Sequence, residues 1–172
     1  MNMKNIPIIF ILLILNCWVY SQESYFVKGK DYYGYVFSRE HSIWGFPPEI
    51  IIGEVPIESN RYTLTEENII QAETILRNNI NTEYVKSCQF LWKKPPINKR
   101  TLKKYYRQYI GYITPNNEEI VCIYLIIKGF VHDIKRLSDD LIEVHDGGYC
   151  YWKISVNLQT QQVFGMKVNG IG

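Results

Sequence analysis

Histidine, aspartate and cysteine fall within six residues of one another in "HDGGYC", His145 to Cys150. These are the parts of a thiol nucleophile beside its base, in which an imidazole takes the thiol proton and a carboxylate orients the ring. Such a site needs Cys150 exposed, His145 in reach across the turn, and donors nearby for a developing oxyanion. The strand that follows works against exposure. Side chains alternate along a strand, so Cys150, Trp152, Ile154, Val156 and Leu158 share one apolar face. Tyr149, Tyr151, Lys153, Ser155 and Asn157 share the other, mostly polar face. A thiol in the apolar row behaves as a small hydrophobe or as half of a disulfide. Asp146-Gly147-Gly148 supplies the positive-φ backbone of a tight entry to that strand. A turn feeding a core strand is therefore the leading reading. A small envelope hydrolase or thiol enzyme using Cys150, His145 and Asp146 is the alternative.

Other chemical groupings carry less. His132-Asp133 and His145-Asp146 are two His-Asp dipeptides that would need their loops to meet before they shared a metal, and the remaining histidine, His41, is remote in sequence. No metal site is expected. Glu118-Glu119 and Asp139-Asp140 sit in turns, where adjacent carboxylates solvate the chain. There is no Gly-x-Ser-x-Gly, phosphate-binding loop or dinucleotide fingerprint, so no cofactor is expected. A basic run remains: Lys93, Lys94, Lys99, Arg100, Lys103, Lys104 and Arg107, interleaved with Tyr105 and Tyr106. It suits a solvated face or edge protection. It equally suits an anionic partner such as an acidic glycan, a phosphorylated envelope lipid or an acidic protein face.

The elements that must position these residues begin after an export signal. Lys4, the apolar stretch Ile6–Leu15, and Val19 and Ser21 at a cleavage position before Gln22 predict a signal peptide over 1–21. The apolar stretch is too short for a stable membrane span. Lipidation at Cys17 is a lesser alternative, because Asn16 is a poor residue to precede it. Residues 22–172 then form one exported domain, periplasmic or extracellular. A formal net charge of +2 gives no bulk case for nucleic acid. In an oxidising compartment two of Cys88, Cys122 and Cys150 can pair, and their spacing does not say which.

Within that domain "YFVKGKDYYGYVF" reads as an early strand or hairpin around Gly29 to Tyr32. Ile50–Ile52, bounded by prolines and a glycine, reads as a short strand. The clearest helix starts at Thr65, which caps it, and its stripe is Ile69, Ala72, Leu76 and Ile80. Lys93–Lys104 reads as a linker. Strands are expected at Tyr105–Thr114, Ile120–Lys128, Tyr149–Leu158 and Val163–Val168, the first two joined by "PNNEE" and the last two by "QTQQ". One main helix packed on a curved antiparallel sheet of about four strands is an α+β domain of cystatin-like layout.

The C-terminal half, with "YYRQYIGYI", "DGGYCYWKISVNLQT" and the closing "VNGIG", resembles a group of small uncharacterised secreted proteins of Bacteroidetes. The likeness covers Tyr105 to Gly172 and more loosely the helix at Thr65. It implies export and kinship but no activity. Its matching positions, Asp146, Gly147, Gly148, Asn169 and Gly170, read as turn and strand-end geometry. Together these features predict a secreted, non-enzymatic binding module for a protein or anionic envelope partner, with inhibitor and immunity-like roles as specific versions.

Overall fold

The computed structural model describes residues 23–41, 61–92, 96–142, 144 and 146–170. The expected signal segment with Cys17, the Ile50–Ile52 strand, Lys93, Lys94 and His145 lie outside the described residues. The chain opens with a hairpin of β1 (Ser24–Lys28) and β2 (Tyr33–Phe37), where the sequence places one. A two-residue strand β3 (Arg61–Tyr62) follows, then helices α1 (Glu66–Asn79) and α2 (Glu83–Ser87). The C-terminal half is a meander: β4 (Tyr105–Ile113), β5 (Glu119–Ile127), β6 (Tyr151–Asn157) and β7 (Gln162–Val168). A short helix α3 (Arg136–Asp139) lies in the loop between β5 and β6.

α1 forms because its start is chemically fixed and its stripe is apolar. Thr65 Oγ1 accepts from the Asn68 amide at 3.2 Å, and Asn68 Oδ1 accepts from the Thr65 amide at 2.9 Å, satisfying two otherwise orphaned donors. Ile69, Ala72, Leu76 and Ile80 are all buried, as their spacing predicts. They meet Tyr105 and Tyr109 of β4, Val121, Ile123 and Leu125 of β5, and Trp152, Ile154 and Val156 of β6 in one core cluster. Each such side chain contributes on the order of 1.5–3 kcal/mol on burial.

The sheet is larger than expected and is mixed. Among the described residues it has seven strands in the order β1-β2-β4-β5-β6-β7, with β3 paired to β4 past the end of β2. The expectation of about four antiparallel strands is corrected on both points. The early hairpin adds itself to the meander, and it does so in parallel, Gly34 to Phe37 running beside Arg107 to Ile110. A parallel pair needs a long crossover, which the stretch containing α1 and α2 supplies. Close approach is possible because Gly34 lacks a side chain: a Cβ there would fall 1.8 Å from the Arg107 carbonyl oxygen.

A second, smaller core covers the opposite face with Phe37, Ile110, Tyr112, Ile120, Cys122, Tyr124 and Leu141. Gln108 fastens the 136–142 stretch to it. Its Nε2 donates to the carbonyls of Leu137 (2.9 Å) and Asp140 (2.8 Å), and its Oε1 accepts from the Ile142 amide at 2.9 Å.

Candidate functional site

The opening stretch folds as a turn. Gly147 (φ 95°) and Gly148 (φ 57°) take the left-handed conformations that the Asp-Gly-Gly sequence suggests. Asn169 Nδ2 donates to the carbonyls of Val144 and Asp146, and the Gly148 amide donates to the Gly170 carbonyl at 2.8 Å. The positions shared by "DGG" and the terminal "NG" are thus one hydrogen-bonded clasp. Cys150 ends a 3₁₀ turn, Gly148–Cys150, immediately before β6, so it precedes the strand instead of opening it. Trp152, Ile154, Val156 and Leu158 are buried in the row that alternation predicts. Cys150 itself is half-buried, and desolvation pushes its thiol above the ordinary range. Burial drives the Cys122 thiol up further, to about 12. Cys88, Cys122 and Cys150 are all free thiols. Asp146 is exposed, with its carbonyl engaged in the clasp.

The two described histidines do not converge. His41 is buried against the Phe37 ring, 4.5 Å between centroids, whereas His132 is exposed in the loop after β5. Among the described residues no group of three or more histidine, cysteine or acidic side chains could hold a metal ion.

The basic run is where the structure brings residues together. Asn98, Lys99, Arg100, Thr101 and Lys103 line one wall of an open groove of about 920 Å³. Its other wall comes from elsewhere: Arg77 from the last turn of α1, Asn81 just beyond it, and Asp31 from the β1–β2 turn. Arg77 Nη2 donates to Asp31 Oδ2 at 2.6 Å. Four cations thus face one carboxylate, which Arg77 already engages. The wall has a definite shape. The Asn98 amide donates to Thr101 Oγ1, Asn98 Oδ1 accepts from the Arg100 amide, and Thr101 Oγ1 donates to the Pro96 and Asn98 carbonyls. This is an Asx-type turn that sets successive cations at its surface. Ile97 and Leu102 are buried, so the described part of the stretch read as a linker is pinned to the core at these two points. Lys104 is exposed on the adjoining 3₁₀ turn, Leu102–Lys104.

Arg107 does not share that surface. It is 0 % exposed, on the α1 side of β4. Its Nε donates to Glu73 Oε1 at 2.9 Å, and Nη1 donates to the carbonyls of Leu102 (3.0 Å) and Tyr105 (2.6 Å). Tyr109 also donates to Glu73 Oε1, at 2.9 Å. Burial works most strongly against the charged guanidinium, and the Glu73 carboxylate, together with Tyr109 and Tyr105, outweighs it and holds the group charged. Arg107 therefore shapes the basic wall from beneath, holding the Leu102 turn, and presents no charge to solvent. Sequence reading missed Arg77, Asp31 and Glu73. The signal for Glu73 was present: a carboxylate on the apolar side of α1, four residues from Ile69, calls for a buried counter-charge.

No helix among the described residues is long and apolar enough to cross a membrane. Comparison with protein-family models, curated proteins and solved structures finds no match for this chain.

Proposed function

We propose that the chain is an exported, non-enzymatic binding module that engages an acidic protein or envelope partner through the Arg77–Lys103 groove. The observation that carries this is the charge layout: cations from two separate segments converge on one open groove opposed by a single carboxylate. Export is supported by the Lys4 and Ile6–Leu15 pattern and by the resemblance to small secreted Bacteroidetes proteins. α1 lying across the β4–β7 meander supports keeping the cystatin-like comparison as one of layout. Inhibitor and immunity-like roles are specific versions of this reading, in which the acidic partner is an enzyme or a toxin. The thiol-enzyme alternative gains nothing from a half-buried Cys150 whose thiol is pushed up by desolvation.

Retention on immobilised polyaspartate tests the groove. Replacing Lys99, Arg100 and Lys103 together with alanine should bring elution to clearly lower salt, while Asp31→Asn, which removes the opposing carboxylate, should delay it. Unchanged elution of both variants would overturn the reading.

A further inference from the structure

Beside the groove stands an apolar feature that binding of a soluble anion leaves unused. Phe90 is 80 % exposed and Leu91 is 50 % exposed, immediately beyond α2. Trp92 is half-buried, and its ring meets that of exposed Tyr149 edge-on at 6.0 Å. Two consecutive large apolar side chains this exposed at a surface tip are an unusual expenditure of hydrophobic area.

The tip is held. Gln89 is buried, its Nε2 donates to the carbonyls of Val85 (3.2 Å) and Ile97 (3.1 Å), and its Oε1 accepts from the Ile97 amide at 2.8 Å. The Trp92 amide returns to the Gln89 carbonyl at 3.0 Å. Gln89 and Ile97 are thereby joined side by side, with Phe90 one residue beyond the first and Lys99 two residues beyond the second. Chain geometry keeps the Cα atoms of Phe90 and Lys99 within roughly 20 Å. Charge is segregated in the same region: no aspartate or glutamate occurs between Glu83 and Glu118, while Lys99, Arg100, Lys103 and Lys104 are exposed there. An apolar tip bearing aromatic neighbours and followed by cations that outnumber the one carboxylate of the groove, Asp31, has the chemistry of the bilayer interface. The tip enters the acyl boundary, tryptophan and tyrosine sit at headgroup level, and cations meet anionic headgroups.

We infer that the Phe90–Leu91 tip and the adjoining basic wall form a docking surface for an anionic lipid bilayer. This rests on the groove reading and names its partner: the anionic groups are lipid headgroups. Neither half suffices alone. Two apolar side chains give weak, reversible partitioning, and the cations add attraction only to charged lipid.

Amide hydrogen exchange of the full chain, read peptide by peptide, tests this locally, so that binding through the apolar N-terminal stretch does not count. The probes are phosphatidylcholine vesicles with and without phosphatidylglycerol, and soluble polyaspartate. Exchange in 89–92 and 98–104 should slow several-fold on the phosphatidylglycerol vesicles at low salt and not on phosphatidylcholine alone. In a Phe90→Ser, Leu91→Ser variant that slowing should be lost while retention on polyaspartate is unchanged. Exchange in 89–92 unaffected by anionic vesicles, or slowed equally by neutral ones, would overturn the inference. If polyaspartate slows 98–104 and vesicles slow neither segment, the groove reading stands and an acidic protein replaces the bilayer as its partner. If neither probe slows 98–104, both fail together.

Discussion

Glu73→Gln is the substitution that tests most of the architecture at once. It keeps the size and shape of the side chain and an oxygen for Tyr109 to donate to, and removes only the charge. Arg107 then keeps its donations to the Leu102 and Tyr105 carbonyls but has lost the carboxylate at 2.9 Å, in a position with 0 % exposure. Breaking one side of a buried ion pair leaves an uncompensated charge and costs about 3–5 kcal/mol. With a urea m-value of about 2 kcal/mol/M, the unfolding midpoint should fall by roughly 1.5–2.5 M. Arg107→Met should cost a similar amount. The double variant Glu73→Leu, Arg107→Met should recover much of the loss, because two apolar side chains of similar volume replace two charges. Recovery is incomplete, since Tyr109 and the Leu102 and Tyr105 carbonyls lose their partners, at about 1–3 kcal/mol for each buried group left unmet. Urea titrations of the parent, Glu73→Leu, Arg107→Met and the double variant form a double-mutant cycle. A loss below about 1 kcal/mol for Glu73→Gln, or strict additivity of the two changes, would refute the claim that this pair is desolvated and coupled.

Alkaline pH should weaken the fold. Burial raises the Tyr105 and Tyr109 hydroxyls above their ordinary value near 10, Tyr109 well above it, with Glu73 adding to the effect on Tyr109. The folded state therefore holds these protons more tightly than the unfolded chain does. The associated stability is complete below about pH 10 and is lost as pH rises through the raised folded values, at about 1.4 kcal/mol per pH unit for each group. Urea midpoints should fall above pH 10 in the parent protein and fall less steeply in Tyr109→Phe; parallel profiles would contradict the sign. In thiol alkylation at neutral pH, Cys122 should be silent until unfolding and Cys150 slower than a free thiol, because burial favours both protonated forms. A Cys150 that reacts faster than the unfolded chain would restore the thiol-enzyme alternative.

Local chemistry was the readable part of this chain. Thr65 and the Ile69–Ile80 stripe are self-contained, since a cap and a 3.6-residue period declare a helix without knowledge of its partner. The meander strands were legible for the same reason, each being an alternating run bounded by turn residues. Sheet order was not. Nothing within "YGYVF" states that it lies parallel to β4, because that pairing depends on where a remote crossover returns the chain. The basic run shows both outcomes in one segment. Lys99, Arg100 and Lys103 reach the surface, as a charged stretch suggests. Arg107 belongs by alternation with Tyr105 and Tyr109, and that parity puts it under α1. Asp31 and Arg77 entered the groove from distant segments that no local pattern connects to it.

The crossover that makes β2 parallel to β4 also bears on the order of assembly. β4, β5 and β6 each pair with the next strand along the chain, so their contacts close short loops or, for β5 and β6, one of moderate length. Phe37 meets Ile110 only after both helices have been traversed. Loop closure of that kind slows folding more than it weakens the product. The β1–β2 hairpin is expected to arrive late on a meander already in place, and to leave first when the molecule opens. Native-state exchange should then show the amides of β1 and β2 released together at a lower free energy than those of β4 and β5. Asp31, carried on that hairpin, would depart with it, so the groove would lose its opposing carboxylate while the wall of cations stayed on the standing core.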